Sequence, residues 1–307
     1  MSETKKPDML LWEETIFRDR DLFELDHLPE HFLHREPQNN SLKFCIRPAL
    51  QGGRPVNALC LGPPGTGKTT AILKLFEEIE AHSSRVVPVH VNCQMDSTRY
   101  SVFYQIYKKL FDHAPPSSGI SFKRIFEKVA EAAVEQDKVL VVALDDINYL
   151  FHEKEIDHVL YSLLRAHETC PGVMSELSLS YVLDPRVVSV FQPEEVLFPL
   201  YSRGEITDIL GRRAQMGYYP GVMSQQVLEA VVDGAENAGD LRVGIDLLKR
   251  AGLAAEKRAS RAISLEDIAA SMDRSRLVHL SYAMKSLKED ELVVLRLAAE
   301  SSSRRAG

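Results

Sequence analysis

An α/β fold is what this sequence predicts: a parallel sheet with helices on both faces, followed by an all-α region. Three observations carry it. Apolar runs bounded by turn residues alternate with segments of helical periodicity as far as about residue 200. Lys138-Val-Leu-Val-Val-Ala-Leu-Asp-Asp146 is apolar without alternation, the pattern of a strand buried on both faces of a parallel sheet. Beyond Tyr201 the strand-like runs stop and only helical patterns remain.

The elements follow in order. An acidic helical pattern covers Trp12 to Leu25, followed by Leu28-Pro-Glu-His-Phe-Leu-His-Arg-Glu36. His27, His31 and His34 lie close together, but no cysteine or clustered carboxylate completes a metal set around them. A first strand is expected over 56–61 and a helix over 71–79. The second strand, 86–91, contains Pro88, which cannot donate to a central ladder, so this strand belongs at a sheet edge. Helices over 100–111 and 122–136 flank the loop Pro115-Pro-Ser-Ser-Gly119. The strand 138–146, a helix over 156–168 and short strands near 173–177 and 195–198 complete the sheet region. Helices near 203–214, 224–238, 240–258 and 264–285 form the second region. Ser202 with Glu205, and Ser264 with Asp267, read as capping boxes. A third box, Ser286 with Glu289, opens a last helix to about Glu300. It has no later partner in the sequence, so it reads as the start of a further domain or as a frayed helix docked on the second region. The expected domains are 1–200, 201–275 and an incomplete 276–307.

Between the first strand and its helix stands Gly62-Pro-Pro-Gly-Thr-Gly-Lys-Thr-Thr70. This is a complete G-x-x-x-x-G-K-[ST] phosphate-binding loop in the strand–loop–helix context it needs. Its glycines let backbone N–H groups curl around phosphate oxygens, and the helix N-terminus adds a favourable partial charge. Lys68 would reach the β- and γ-phosphates, and the Thr69 hydroxyl would face Mg²⁺. Ligands in open α/β sheets sit at the carboxyl ends of strands, which puts Asp145 opposite Thr69, holding Mg²⁺ through water.

Bulk properties narrow the rest. The 307 residues are 45% hydrophobic and 26% charged, with net charge −7. A chain that coats DNA non-specifically is usually basic, so nucleic-acid contact must use a local patch. Cys45, Cys60, Cys93 and Cys170 are far apart with no C-x-x-C pair, which favours a reducing compartment. No apolar stretch approaches transmembrane length and the N-terminus lacks a signal-like segment, so a cytoplasmic protein with no membrane partner is expected.

A P-loop sheet followed by a helical lid resembles the AAA+ ATPases. The strings HFLHRE, VNCQMDSTRY, LDDINYLF, LDPRVVSVFQPEEVLFPLYSRGEITDIL and AGDLRVGIDLLKRAG, in that order, resemble archaeal ORC-type replication initiators over about residues 10–300, which implies that 276–307 is the beginning of that family's winged-helix domain. The resemblance implies roles for matched positions. Gly65, Thr66, Gly67, Lys68, Thr69 and Thr70 cradle the phosphates of ATP or ADP, and Asp145 and Asp146 are the metal and water-activating acids. Ser175 is the first sensor, Tyr201 and Arg213 are lid contacts to nucleotide, and Arg242 is the second sensor, reaching the γ-phosphate. Residues 28–36 would lie near the adenine. The partners implied are double-stranded origin DNA, the replicative helicase and other initiator subunits.

The departures from the pattern bear on turnover. Asp146 stands where many AAA+ enzymes have glutamate, retracting the carboxylate by roughly 1.5 Å. A misplacement near 1 Å can cost about 10²-fold in rate. Ser175 replaces a frequent asparagine, and Val190 stands at the trans-acting arginine-finger position, with Arg186 nearby. Such a finger can be worth about 10³–10⁵ in rate. The reading is a nucleotide-held switch with slow turnover. Its rivals are a working AAA+ motor or clamp-loader-like enzyme, and a truncated regulator that does not itself read DNA. For DNA, the resemblance points to the insertion at about 97–124, with Lys108, Lys109, Lys123 and Arg124, and Lys249, Arg250, Lys257, Arg258 and Arg261 give the lid an interrupted basic stripe.

Overall fold

The strand Val139–Asp145 is buried at every position, and its side chains alternate between two cores. Leu140, Val142 and Leu144 enter one; Val139, Val141 and Ala143 enter the other. Two covered faces explain the uninterrupted apolar run. The computed structural model describes residues 15–116, 119–152, 155–166, 172–175, 191–272 and 296. Its strands are β1 (Ala58–Leu61), β2 (Val86–Asn92), β3 (Val139–Asp145), β4 (Gly172–Ser175) and β5 (Glu194–Leu197). They form one sheet in the order β2-β3-β4-β1-β5, and every pairing is parallel. β2 is an edge strand, as Pro88 requires.

Helices α1 (Glu36–Leu50) and α2 (Lys68–His82) supply the core on one face of the sheet. On the other face lie α3 (Arg99–Phe111), α4 (Phe122–Glu135) and α6 (Ile156–Ala166), with the short α5 (Asn148–His152) after β3. Thr98 and Ser101 close a reciprocal box at the start of α3, and Ser121 caps α4. The helix over 36–50 is not among the elements expected from the sequence. Its signal was present: Pro37 at the first turn, and Leu42, Cys45, Ile46 and Ala49 at i, i+3, i+4 and i+7.

The chain divides into two compact units. One spans Leu28–Leu200. The other joins the chain through His27 to the chain from Tyr201. That differs from the expected 1–200 domain. The helical unit contains α7 (Arg203–Gly217), α8 (Gln225–Ala238), α9 (Leu241–Lys257) and a helical stretch over 265–272. The boxes Ser202–Glu205 and Ser264–Asp267 both form. The helix expected over 12–25 does not form in its described part, where only Asp21–Phe23 makes a 3₁₀ turn. Phe17 and Phe23 explain this. Six residues apart, they would point about 120° away from each other on an α-helix. Instead both rings enter the core of the helical unit, with centroids 5.2 Å and 4.6 Å from the Tyr218 ring. Gly217 makes room, because a Cβ there would lie 2.3 Å from Phe23 Cζ. Apart from residue 296, the expected domain 276–307 lies outside the described residues. No helix among the described residues is long and apolar enough to cross a membrane.

Candidate nucleotide-binding site

β1 ends at Leu61 and α2 begins at Lys68, so the glycine loop occupies the carboxyl end of a central strand. Gly65 (φ 73°) and Gly67 (φ 91°) take left-handed conformations that curl the loop. Gly62 lies against the end of β5, where a Cβ would stand 2.2 Å from the Phe198 carbonyl oxygen. Thr66 is buried and its hydroxyl donates to Pro63 O at 2.8 Å. Lys68 is only 7% exposed, and its ammonium donates to the Gly62 and Pro63 carbonyls, each at 2.8 Å. The loop is thus folded over its own lysine. Thr70 follows in the first turn of α2.

Asp145 closes β3 and is 5% exposed. Its Oδ2 accepts the Thr69 hydroxyl at 2.9 Å. These are two hard oxygen donors, the kind Mg²⁺ takes alongside waters and phosphate. Thr69 and Asp145 would hold the ion, and bound Mg²⁺ would neutralise phosphate charge. The same Oδ2 lies 3.1 Å from His90 Nε2 on β2. A carboxylate can only accept, so His90 donates and fixes the carboxylate's orientation. His90 is not among the expected site residues. Its only trace was a polar residue interrupting the apolar face of an edge strand. Asp146 follows with φ 53°, a left-handed conformation that aspartate tolerates better than most residues.

Cys60 and Cys93 are free, buried thiols. Burial pushes the Cys60 thiol up to about 12, with nearby Asp145 adding to the rise and Lys68 opposing it. Both thiols are core residues. Ser175 ends β4 in register with Cys60, one strand over from the loop. Val190 and Arg186 lie outside the described residues.

Residues 54–184 match the AAA domain family, and residues 207–273 match the Cdc6 AAA+ ATPase-type lid domain. ORC1-type DNA replication protein 6 of Halobacterium salinarum is 51% identical over 316 residues, covering 100% of this chain and 84% of the relative. The chain belongs to the ORC1-type DNA replication protein family. ORC1-type DNA replication protein 2 of Methanosarcina mazei is 50% identical over 307 residues, covering 98% of this chain and 82% of the relative. The solved Aeropyrum pernix ORC1 protein in complex with DNA is similar at TM-score 0.78 and 30% identity, covering 92% of this chain and 76% of that one. The AAA+ fold is a nucleotide-binding fold, and the ordered strings read from the sequence led to the right family.

In this ORC1-type chain the expected lid residues are held as follows. Tyr201 is half-buried and packs against the helical core. Arg213 donates to the Glu24 carbonyl at 3.4 Å, and burial lowers its guanidinium pKa below the ordinary arginine value. Arg242 lies at the start of α9 and forms a two-toothed pair with Asp240, at 3.0 and 2.7 Å. The basic patches are partly neutralised. Lys109 pairs with Glu80 at 2.6 Å and Lys123 with Glu127 at 3.7 Å. In the lid, Lys249 pairs with Glu24, Arg250 with Asp246, and Arg258 with Asp267.

Proposed function

We propose that this chain initiates or regulates DNA replication as a switch held by ATP·Mg²⁺, with origin duplex as its macromolecular ligand. The hydrogen bond from Thr69 to Asp145 carries the nucleotide part of this reading, because it brings both proposed magnesium ligands together beside the glycine loop. The loop's N–H groups and Lys68 bind the polyphosphate. ATP and ADP differ in the γ-phosphate, and that difference is what the switch reads. ATP then acts as a conformational ligand, whose effect equals its differential affinity for the two states. The DNA part rests on family membership and on the similar ORC1 protein solved with DNA. A replicative helicase and further initiator subunits are the proposed recipients of the switched state.

Turnover is slow on this reading. Asp146 carries a short carboxylate on a left-handed residue, which keeps it back from an attacking water. Steady-state phosphate release by the purified chain, beside Asp146→Glu, tests this. Slow release that rises about tenfold or more with the longer carboxylate is expected. Rapid release by the unaltered chain would refute a held switch and favour a working motor.

A further inference from the structure

Arg35 is the one buried arginine among the described residues, 2% exposed, and its guanidinium is spent on main-chain carbonyls. Nε donates to Thr66 O inside the phosphate loop at 2.9 Å. Nη2 donates to Pro199 O at 2.7 Å, and Nη1 to His34 O at 2.8 Å. One turn further along, Gln38 Nε2 donates to Leu197 O at 2.9 Å. The first turn of α1 therefore grips the end of β5 at two points and the phosphate loop at one. Phe198 N, between those two points, bonds Leu61 O at 2.7 Å, and Gly62 is too close to Phe198 for any side chain. The loop and the chain leaving the sheet unit are thus locked together. Tyr201, two residues after Pro199, begins the other unit.

We propose that Arg35 is a positioning residue that couples occupancy of the phosphate loop to the exit segment Phe198–Tyr201. It rests on the nucleotide reading above. A planar guanidinium presents donors in a fixed fork, so the Thr66 and Pro199 carbonyls cannot move independently while both are bound to it. A lysine would keep the charge but not the fork. Phosphate that draws the loop's N–H groups inward moves the Thr66 peptide, and Arg35 carries that displacement to Pro199. The bond to Thr66 O is buried, so water does not replace it, while the bond to Pro199 O is part-buried. The charge also sits one hydrogen bond behind the loop that must hold an anion.

Hydrogen–deuterium exchange on the unaltered chain, with and without ATP·Mg²⁺, is the primary test. Protection is expected at 62–67 and also at 198–201. Protection confined to the loop would overturn the coupling without any variant. No protection anywhere, with no heat of binding in calorimetry, would instead overturn the nucleotide reading itself. Arg35→Met is the second arm, read at saturating ATP with its fold checked by circular dichroism. It is expected to weaken ATP and ADP by about tenfold, and to lose the 198–201 protection while keeping that at 62–67. Arg35→Lys should recover part of the affinity but not the 198–201 protection. Equal protection of the exit segment in Arg35→Met and the unaltered chain would contradict the proposal.

Discussion

The Thr69 hydroxyl donates to Oδ2 of Asp145 at 2.9 Å, across 76 residues of sequence. Two strands and the glycine loop must all be in place for that bond, so it reports the assembled site. Asp145→Ala removes the acceptor and the proposed magnesium ligand together. ATP affinity in Mg²⁺ should fall about tenfold or more, while affinity in EDTA stays near that of the unaltered chain. Isothermal calorimetry in both buffers measures the two values. An equal loss in both would place Asp145 in structural support only.

Gly62 has no room for a side chain. A Cβ at 2.2 Å from the Phe198 carbonyl meets backbone, which cannot rotate away. Gly62→Ala should lower unfolding free energy by about 2 kcal/mol or more, seen as a lower urea midpoint, and should weaken ATP binding by displacing the loop. A variant with an unchanged midpoint would show that β5 gives way freely.

Phe23 is completely buried and touches both Phe17 and Tyr218. Removing a ring of this kind costs about 3–5 kcal/mol. Since the residue belongs to the helical unit, Phe23→Ala should raise amide exchange in α7 and α9 while β1 to β3 keep their protection. Equal loss in the sheet would mean that the segment before Leu28 supports both units alike.

Asp267 offers a pH test. Burial pushes its carboxyl up, but hydrogen bonds from Arg258 and from Ser264 outweigh that and hold it below the ordinary carboxylate value. A depressed carboxylate stabilises the fold above its unfolded pKa, near 3.9. That contribution is lost as pH falls through the still lower folded value. Asp267→Asn should therefore lower the urea midpoint at pH 7, and the gap to the unaltered chain should narrow below about pH 4. A gap that widens on acidification would reverse the assignment.

Much of the sheet unit was legible because its signals are local. The glycine loop, the double-faced run of β3 and the edge-strand proline each name their own surroundings. The capping boxes Ser202–Glu205 and Ser264–Asp267 fixed two helix starts for the same reason. What escaped depends on distant partners. Phe17 and Phe23 suit a helix by neighbourhood, yet both are drawn to Tyr218. Arg35 sat in a string expected near the adenine, and its grip on the loop escaped because its partners are carbonyls at 66 and 199, which no residue type announces. His90 became visible only once β2 lay beside β3.

Affinity of this chain for an origin-repeat duplex, titrated in ATP·Mg²⁺ and again in ADP·Mg²⁺ at one salt concentration, tests the switch most directly. The account predicts a difference of at least about tenfold between the two nucleotides, since a switch works only through differential affinity. Equal affinity in both would contradict it.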